Sequence, residues 1–216
     1  MKQADQANAS VPLFQQKWVN KLTRSHVSIP VGMVLSFSLF MLYWSFQYTS
    51  LGVGITALLF FTGLLFFTLV EYLIHRNLYH IEPKTEGRKR FSYIVHGVHH
   101  DYPRDKYRIA MPPAGIIVYL VLFFAVFRLV LGPTYSYAAL SGFTLGYCAY
   151  QFVHYSVHIF RPPNNFLKAL WTNHAIHHHK DDTVLYGVSS PLWDYVFGTL
   201  PKRETGLKDV EVKAKA

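Results

Sequence analysis

Apolar residues in this chain gather into long runs rather than recurring on one face of short elements. Residues 27–48, 51–70, 111–127 and 133–153 contain no Lys, Arg, Asp or Glu, and about 20 apolar residues carry a helix across a bilayer. Four transmembrane helices are therefore predicted, as two hairpins with short connections near Thr49 and at Gly132-Pro133. Short helices on one side of these hairpins complete an all-α membrane fold. Ahead of the first run, residues 11–22 would place Leu13, Phe14, Trp18 and Leu22 on one helical side, as in a helix lying in the membrane interface. The first apolar run begins too deep and runs too long for a cleaved signal peptide. Three segments follow: an interfacial, cytoplasmic stretch over 1–26, a membrane domain over 27–201, and a flexible basic tail over 202–216.

Charge orients the helices. The chain of 216 residues carries 21 Lys and Arg against 12 Asp and Glu. Basic residues lie ahead of the first span, between the second and third, and after the fourth, whereas the other two connections have none. Cytoplasmic loops retain Lys and Arg, so both termini and the central segment are expected on that face. Arg128 alone sits within a span, near its far end, where it can snorkel to the opposite interface. A net charge of +9 would suggest nucleic acid in a soluble protein, but here it faces anionic lipid, and no nucleic-acid partner is expected. The single Cys148 lies inside a span and reads as buried packing.

Ten of the 12 histidines fall into four clusters. These are His75 and His80; His96, His99 and His100; His154 and His158; and His174, His177 and His178. Imidazole is the commonest protein ligand for borderline transition metals, and ten of them suffice for two ions. Packed together without metal, they would repel once protonated and leave donors unpaired when buried. Five residues on an α-helix turn through about 140°, so unless the helix ends between them His75 and His80 should approach a site from different sides or serve different metals. His96 and His99 fall on neighbouring positions of one turn, with His100 beside them. His154 and His158, at i,i+4, can grip one ion from one face. Glu71, four residues before His75, either accepts its second ring proton or pairs with Arg76 at the interface. Asp101 is a candidate outer ligand or a helix-end carboxylate. His179 and His26 are left out of the ligand set.

The order HRNLYH, HGVHH, HYSVH, HAIHH at the ends of paired spans resembles the fatty acid hydroxylase superfamily of membrane di-iron oxygenases. The stretches FTLVEYLIHR at 67–76 and YGVSSPLWDYVFGTLP at 186–201 are similar to fatty acid 2-hydroxylases that act on sphingolipid acyl chains. The resemblance implies two iron ions held by the ten clustered histidines, O2 as co-substrate, and oxygen insertion beside an acyl carboxyl or amide group. Iron suits that step because zinc does not change oxidation state, although zinc can occupy such a site in purified protein. Tyr186 and Asp194 become candidates for outer support or substrate contact.

Many eukaryotic relatives carry a fused cytochrome b5 domain with a His-Pro-Gly-Gly motif, which this sequence lacks. Electrons are then expected from a separate donor, a cytochrome b5, a ferredoxin or a flavoprotein reductase. The basic runs Arg88-Lys-Arg90 and Lys202-Arg203 are candidates for docking an acidic donor. Rival readings are a sterol or carotenoid hydroxylase, an acyl desaturase, a metal transporter and a non-catalytic membrane zinc protein. A transporter would need ionisable residues within the spans, where Arg128 stands alone. The membrane is left open between a bacterial inner membrane and endoplasmic reticulum.

Overall fold

The computed structural model describes residues 11–201, so the tail over 202–216 lies outside the described residues. All regular structure within them is helical. In chain order the helices are α1 (Lys17–Leu22), α2 (Ser28–Tyr48), α3 (Val53–Ile74), α4 (Glu86–Ser92), α5 (Val98–Asp101), α6 (Pro113–Ile159), α7 (Lys168–His179) and α8 (Leu192–Phe197). Two π-helical turns, His75–Tyr79 and Tyr93–Gly97, extend α3 and join α4 to α5.

By length and composition, Ser28–Tyr48, Val53–Tyr79 and Pro113–Ile159 can each cross a membrane. The last is 47 residues long and doubles back on itself. Tyr119 and Tyr147 have ring centroids 5.1 Å apart, and Phe123 and Phe143 are 4.5 Å apart. On a straight helix the first pair would be separated by about 42 Å. The reversal falls at Gly132, where φ is 69° and ψ is −177°. That backbone region is closed to a residue with a Cβ, and Pro133 then opens the second arm with its φ already set. The four predicted spans are thus α2, α3 and the arms 113–131 and 133–159. Arg128 lies beside the turn with its guanidinium 5.3 Å from the Tyr137 ring centre.

The interfacial helix is shorter than predicted. Asn20 Oδ1 accepts hydrogen bonds from the amides of Leu13 and Phe14 at 2.7 and 3.0 Å. These two residues are therefore drawn into a loop, and only Lys17–Leu22 is helical, with Trp18 and Leu22 exposed.

Among apolar helices there is little hydrophobic drive to associate, so close backbone contact and interhelical hydrogen bonds decide the packing. Small residues on the second arm of α6 provide both. A Cβ on Gly63 would overlap the Ala139 carbonyl, and one on Gly142 would overlap the Phe60 carbonyl. Across the α2 crossing, Ser38 and Ser141 each donate to the other's carbonyl at 2.8 Å. Phe67, Phe127, Leu140, Phe143 and Tyr147 fill the space around these contacts. A Gly142→Leu substitution should therefore force α3 and α6 apart, costing about 1–3 kcal/mol or more. Gly32→Ala, at a position with open space around it, should be silent. Thermal unfolding of the two variants in detergent checks this: equal midpoints would refute the close-contact account.

Candidate metal centre

The histidines enter the site from the ends of the spans and from the short helices beside them. Beyond Ile74, α3 loosens into the π turn, in which the His80 amide donates to the His75 carbonyl at 3.2 Å. An i→i+5 turn is wider than an α turn and brings residues five apart over one another. His75 and His80 therefore face the same point, and the α-helical expectation that they diverge is corrected. The second π turn, Tyr93–Gly97, carries His96. His154 and His158 lie on the last turns of α6, and His174, His177 and His178 lie on α7.

Ten imidazoles form two groups. His75, His80, His96, His100 and His177 make one; His99, His154, His158, His174 and His178 make the other. In each group the candidate ligand nitrogens all lie within 4.8 Å of one another. Each takes the pair at the end of one span, the outer i,i+4 pair of one HX2HH cluster, and the middle histidine of the other cluster. His26 and His179 belong to neither group. His26 is exposed at the start of α2, with a ring nitrogen 2.9 Å from the Ser28 hydroxyl.

Imidazole Nε2 atoms stand close together: His75 to His96 at 3.0 Å, His100 to His96 at 3.0 Å, His177 to His80 at 3.1 Å, His99 to His158 at 2.9 Å and His174 to His158 at 2.8 Å. Two nitrogens bound at right angles to one ion, each about 2.1 Å from it, lie about 3.0 Å apart. Nε2 of His154 and both ring nitrogens of His178 are buried without a protein partner. The residues thus fit a pair of metal ions by spacing and by the lone pairs left to satisfy.

The loop after α7 sets two of these lone pairs. The His75 Nδ1–H donates to the Tyr186 carbonyl at 2.6 Å, and the His177 Nδ1–H donates to the Val184 carbonyl at 2.7 Å. A neutral ring with Nδ1 protonated carries its lone pair on Nε2, turned to the group. Two buried carboxylates hold that loop in turn. Asp194 accepts from the amides of Tyr186 and Gly187, both at 2.9 Å, and from the Thr199 hydroxyl at 2.8 Å. Glu71 accepts from the amides of Val188 and Ser189, both at 2.8 Å, and from the Ser189 hydroxyl. Four successive amides end on two carboxylates, and a Cβ on Gly187 would collide with the Ser190 carbonyl. Glu71 therefore neither takes the ring proton of His75 nor pairs with Arg76, whose guanidinium donates to the Tyr72 hydroxyl at 3.0 Å. It instead anchors the loop two residues beyond the carbonyl that His75 meets.

Burial keeps the imidazoles outside the spans neutral. Loss of water is the leading cause that drives His96, His99 and His178 well below the usual imidazole range, and neighbouring imidazoles push the same way. His177 falls to about 4 for the same leading reason, despite its bond to Val184. Neutral rings are the form that binds metal.

A cavity of about 320 Å³ opens beside the second group, with His96, His99, His154, Tyr147 and Gln151 in its wall. A smaller space of about 50 Å³ adjoins it and reaches between the spans, lined by Phe67, Val70 and Tyr119. Both share Tyr79, Met111, Tyr147 and Tyr150. Tyr79 stacks on His96 at 4.9 Å between centroids, and Tyr150 stacks on His154 at 5.3 Å.

Of the outer residues expected from sequence, the Tyr186 ring packs 5.6–5.7 Å from His75, His80 and His177, and Asp194 is wholly buried in the loop anchor. Asp101 faces solvent at the end of α5 and belongs to neither group. Sequence reasoning passed over Tyr79, Tyr150, Gln151 and Ser189. Their signal is helical offset: Tyr150 and Gln151 precede His154 by four and three residues and so share its face. It also passed over Asp182, whose carboxylate lies 3.8 Å from His80 Nδ1.

A family model described as fatty acid hydroxylase matches residues 60–199. Ceramide very long chain fatty acid hydroxylase scs7 of Schizosaccharomyces pombe is 39% identical over 161 residues, covering 72% of this chain and 46% of that protein. Dihydroceramide fatty acyl 2-hydroxylase FAH2 of Arabidopsis thaliana is 38% identical over 139 residues, covering 64% of this chain and 59% of its own. The chain thus spans about half the length of the curated relatives it matches. A solved structure described as full-length scs7p, with only the hydroxylase domain visible, aligns with a TM-score of 0.79 at 29% identity, over 86% of this chain and 70% of that one. Its sequence and its helical framework together place this chain in the fatty acid hydroxylase family.

Proposed function

We propose that this chain is a membrane di-iron monooxygenase that hydroxylates lipid acyl chains at carbon 2, free or within sphingolipids, with O2 as co-substrate and electrons from a separate donor. The observation that carries this reading is the pair of five-imidazole groups beside a cavity that continues between apolar spans. The ten histidines of those groups are the proposed ligands, and the relatives named as fatty acyl 2-hydroxylases lend the position of attack. Two iron ions held there would supply the change of oxidation state that breaking an unactivated C–H bond demands and zinc lacks.

The chain's own residues do the rest. The Val184 and Tyr186 carbonyls fix two rings; Asp194 holds the Tyr186 peptide through the Gly187 amide, Glu71 holds the next two amides, and the Leu185 amide beside Val184 donates to the Thr199 carbonyl. Phe67, Val70 and Tyr119 line an apolar space between the spans that would receive part of an acyl tail, next to the larger cavity at the histidines. Membrane domain 27–201 is taken as the catalytic unit, with its histidine face cytoplasmic. Arg88, Lys89 and Arg90 are exposed on α4 and would steer an acidic electron donor; Lys202 and Arg203 lie outside the described residues.

Lipid mass spectrometry on cells expressing the intact chain, or a variant carrying both His99→Ala and His100→Ala, tests the reaction. Acyl groups with an added oxygen at carbon 2 should arise from the intact chain alone. Oxygen gained by sterols or carotenoids instead would sink the substrate assignment, and no oxygenated lipid even with a supplied donor would sink the enzymatic one.

Metal analysis of purified protein should return two ions per chain. His179→Ala should leave that count unchanged, whereas Glu71→Gln should weaken retention against a chelator by about 10–100-fold, the usual effect of losing an outer support. An equal response of the two variants would rule out the loop as a support.

Acid sensitivity follows from the depressed imidazoles. With folded-state values below the ordinary 6.5, the unfolded chain takes up protons first, so stability rises with pH through this window and falls as pH drops below about 6.5. Metal-free protein should melt at a lower temperature at pH 5 than at pH 7.5; an unchanged melting point would contradict the buried, neutral state of these rings.

A further inference from the structure

One part of the wall around the large cavity differs from the rest. That wall is built from the two π turns, α5, residues 108–112, the second arm of α6, and Leu13 and Thr23 from ahead of the first span. The π turns, α5 and α6 carry histidines of both groups, so moving any of them moves residues of those groups. Residues 108–112 lead straight into α6. Ile109 and Ala110 there are buried, and the Arg108 Nε lies 3.7 Å from the carboxylate of Asp105, itself wholly buried. Leu13 and Thr23 belong to a segment with no histidine of either group and no span. It also lies outside residues 60–199, the part that matches the hydroxylase family.

Segment 11–24 holds together as one body. Asn20 Oδ1 accepts the Leu13 and Phe14 amides at 2.7 and 3.0 Å, while its Nδ2 donates to the Phe14 carbonyl and, at 3.2 Å, to the Gln16 carbonyl. One side chain thus ties the loop to α1. Yet α1 buries none of its residues, and a surface element with little buried contact opens at low free energy. The ends of the segment meet neighbouring residues: Arg108 Nη2 donates to the Val11 carbonyl at 2.7 Å, and the Ser25 amide donates to the Tyr107 carbonyl at 3.0 Å. Ser25 is buried and leads into α2, which makes it the fixed end, whereas the Val11 end can release. Facing outward, Trp18 and Leu22 are 68% and 58% exposed, four residues apart on one side of α1, with Lys17 and Lys21 exposed beside them. That pattern suits an element resting in the bilayer interface.

We infer that segment 11–24 is a membrane-seated lid over the cavity, hinged at Ser25 and latched by Arg108 on the Val11 carbonyl, and that lipid enters from the interface beneath it. Closed, Leu13 and Thr23 complete the wall. Open, they leave a way in from the bilayer that moves no histidine of either group. Such a lid governs the rates of entry and release. That lipid is what passes rests on the hydroxylase reading; that the lid covers the cavity rests on the packing alone.

Full-length protein in phosphatidylcholine nanodiscs, carrying Cys148→Ala and a reporter Ile109→Cys in the cavity wall, reads the cover directly. A polar maleimide should modify the reporter slowly. Asn20→Ala removes the brace and should speed modification about 10-fold, the effect of losing one or two hydrogen bonds. Asn20→Asp keeps the acceptor for both amides and should stay closer to the intact rate. A Val34→Cys reporter, buried among the spans, should remain unmodified in every background. In stopped-flow exchange, a pyrene-labelled fatty acid should enter and leave the Asn20→Ala variant faster than the intact chain. Equal reactivity of the Ile109→Cys reporter with and without Asn20→Ala would overturn the lid, as would modification of Val34→Cys in step with it, which would mark general loosening. A responsive reporter with unchanged lipid exchange would overturn the entry route. A responsive reporter with no lipid bound by any variant would instead overturn the hydroxylase reading and leave the lid standing.

Discussion

Ten imidazoles can share a small buried volume only if they are neutral and each lone pair has somewhere to point. That constraint organises the side of the protein where the spans end. A neutral ring has two nitrogens with opposite needs, so directing Nε2 inward requires an acceptor for Nδ1–H outside. For His75 and His177 the acceptors are backbone carbonyls of one loop, Tyr186 and Val184. A loop is normally a poor instrument for such aim. This one is held because its four amides at 186–189 all end on the carboxylates of Glu71 and Asp194. The order carboxylate, amide, carbonyl, imidazole runs from α3 and α8 to the centre of the first group. Burial of Glu71 beneath that loop is tolerated because its oxygens accept two amides and a hydroxyl.

The spans serve the same end by fixing where the four clusters emerge. Close approach of α3 and the second arm of α6, through Gly63, Ala139 and Gly142, sets the separation of His75 from His154 at the ends of those helices. Gly132 does comparable work at the far side by reversing the chain within two residues. Aromatic pairs zipped along the reversed arms then keep their ends in register.

Much of the fold was legible in sequence, since four charge-free runs of sufficient length admit few alternatives in lipid. The gathering of the ten histidines was legible for a related reason: no soluble or membrane core collects ten histidines for packing. The sorting of those histidines was not. An α-helical wheel separates His75 from His80, and only the π turn, which no residue pattern marks, brings them together. Nor does the spacing of HGVHH reveal that His99 leaves its neighbours for the other group, because this is decided by how α5 meets α6 and α7. Glu71 was expected to meet the His75 ring or Arg76, and its actual partners Val188 and Ser189 lie more than a hundred residues on. The shortening of the interfacial helix to Lys17–Leu22 was not legible, because a single Asn20 side chain outweighed an amphipathic pattern.

The exchange of middle histidines between the HX2HH clusters has a mechanical consequence. His99 and His100 are adjacent on α5, yet they face different groups, as do His177 and His178 on α7. His100 and His178 stack at 4.0 Å with only 12° between their planes, although they too belong to opposite groups. Any rotation of α5 or α7 therefore disturbs both groups together, with the stacked pair transmitting the motion. Two centres built on separate helices could form or fail independently. Interlaced as they are here, the two groups draw on the same helices, α5 and α7, so neither can be rearranged without moving residues of the other.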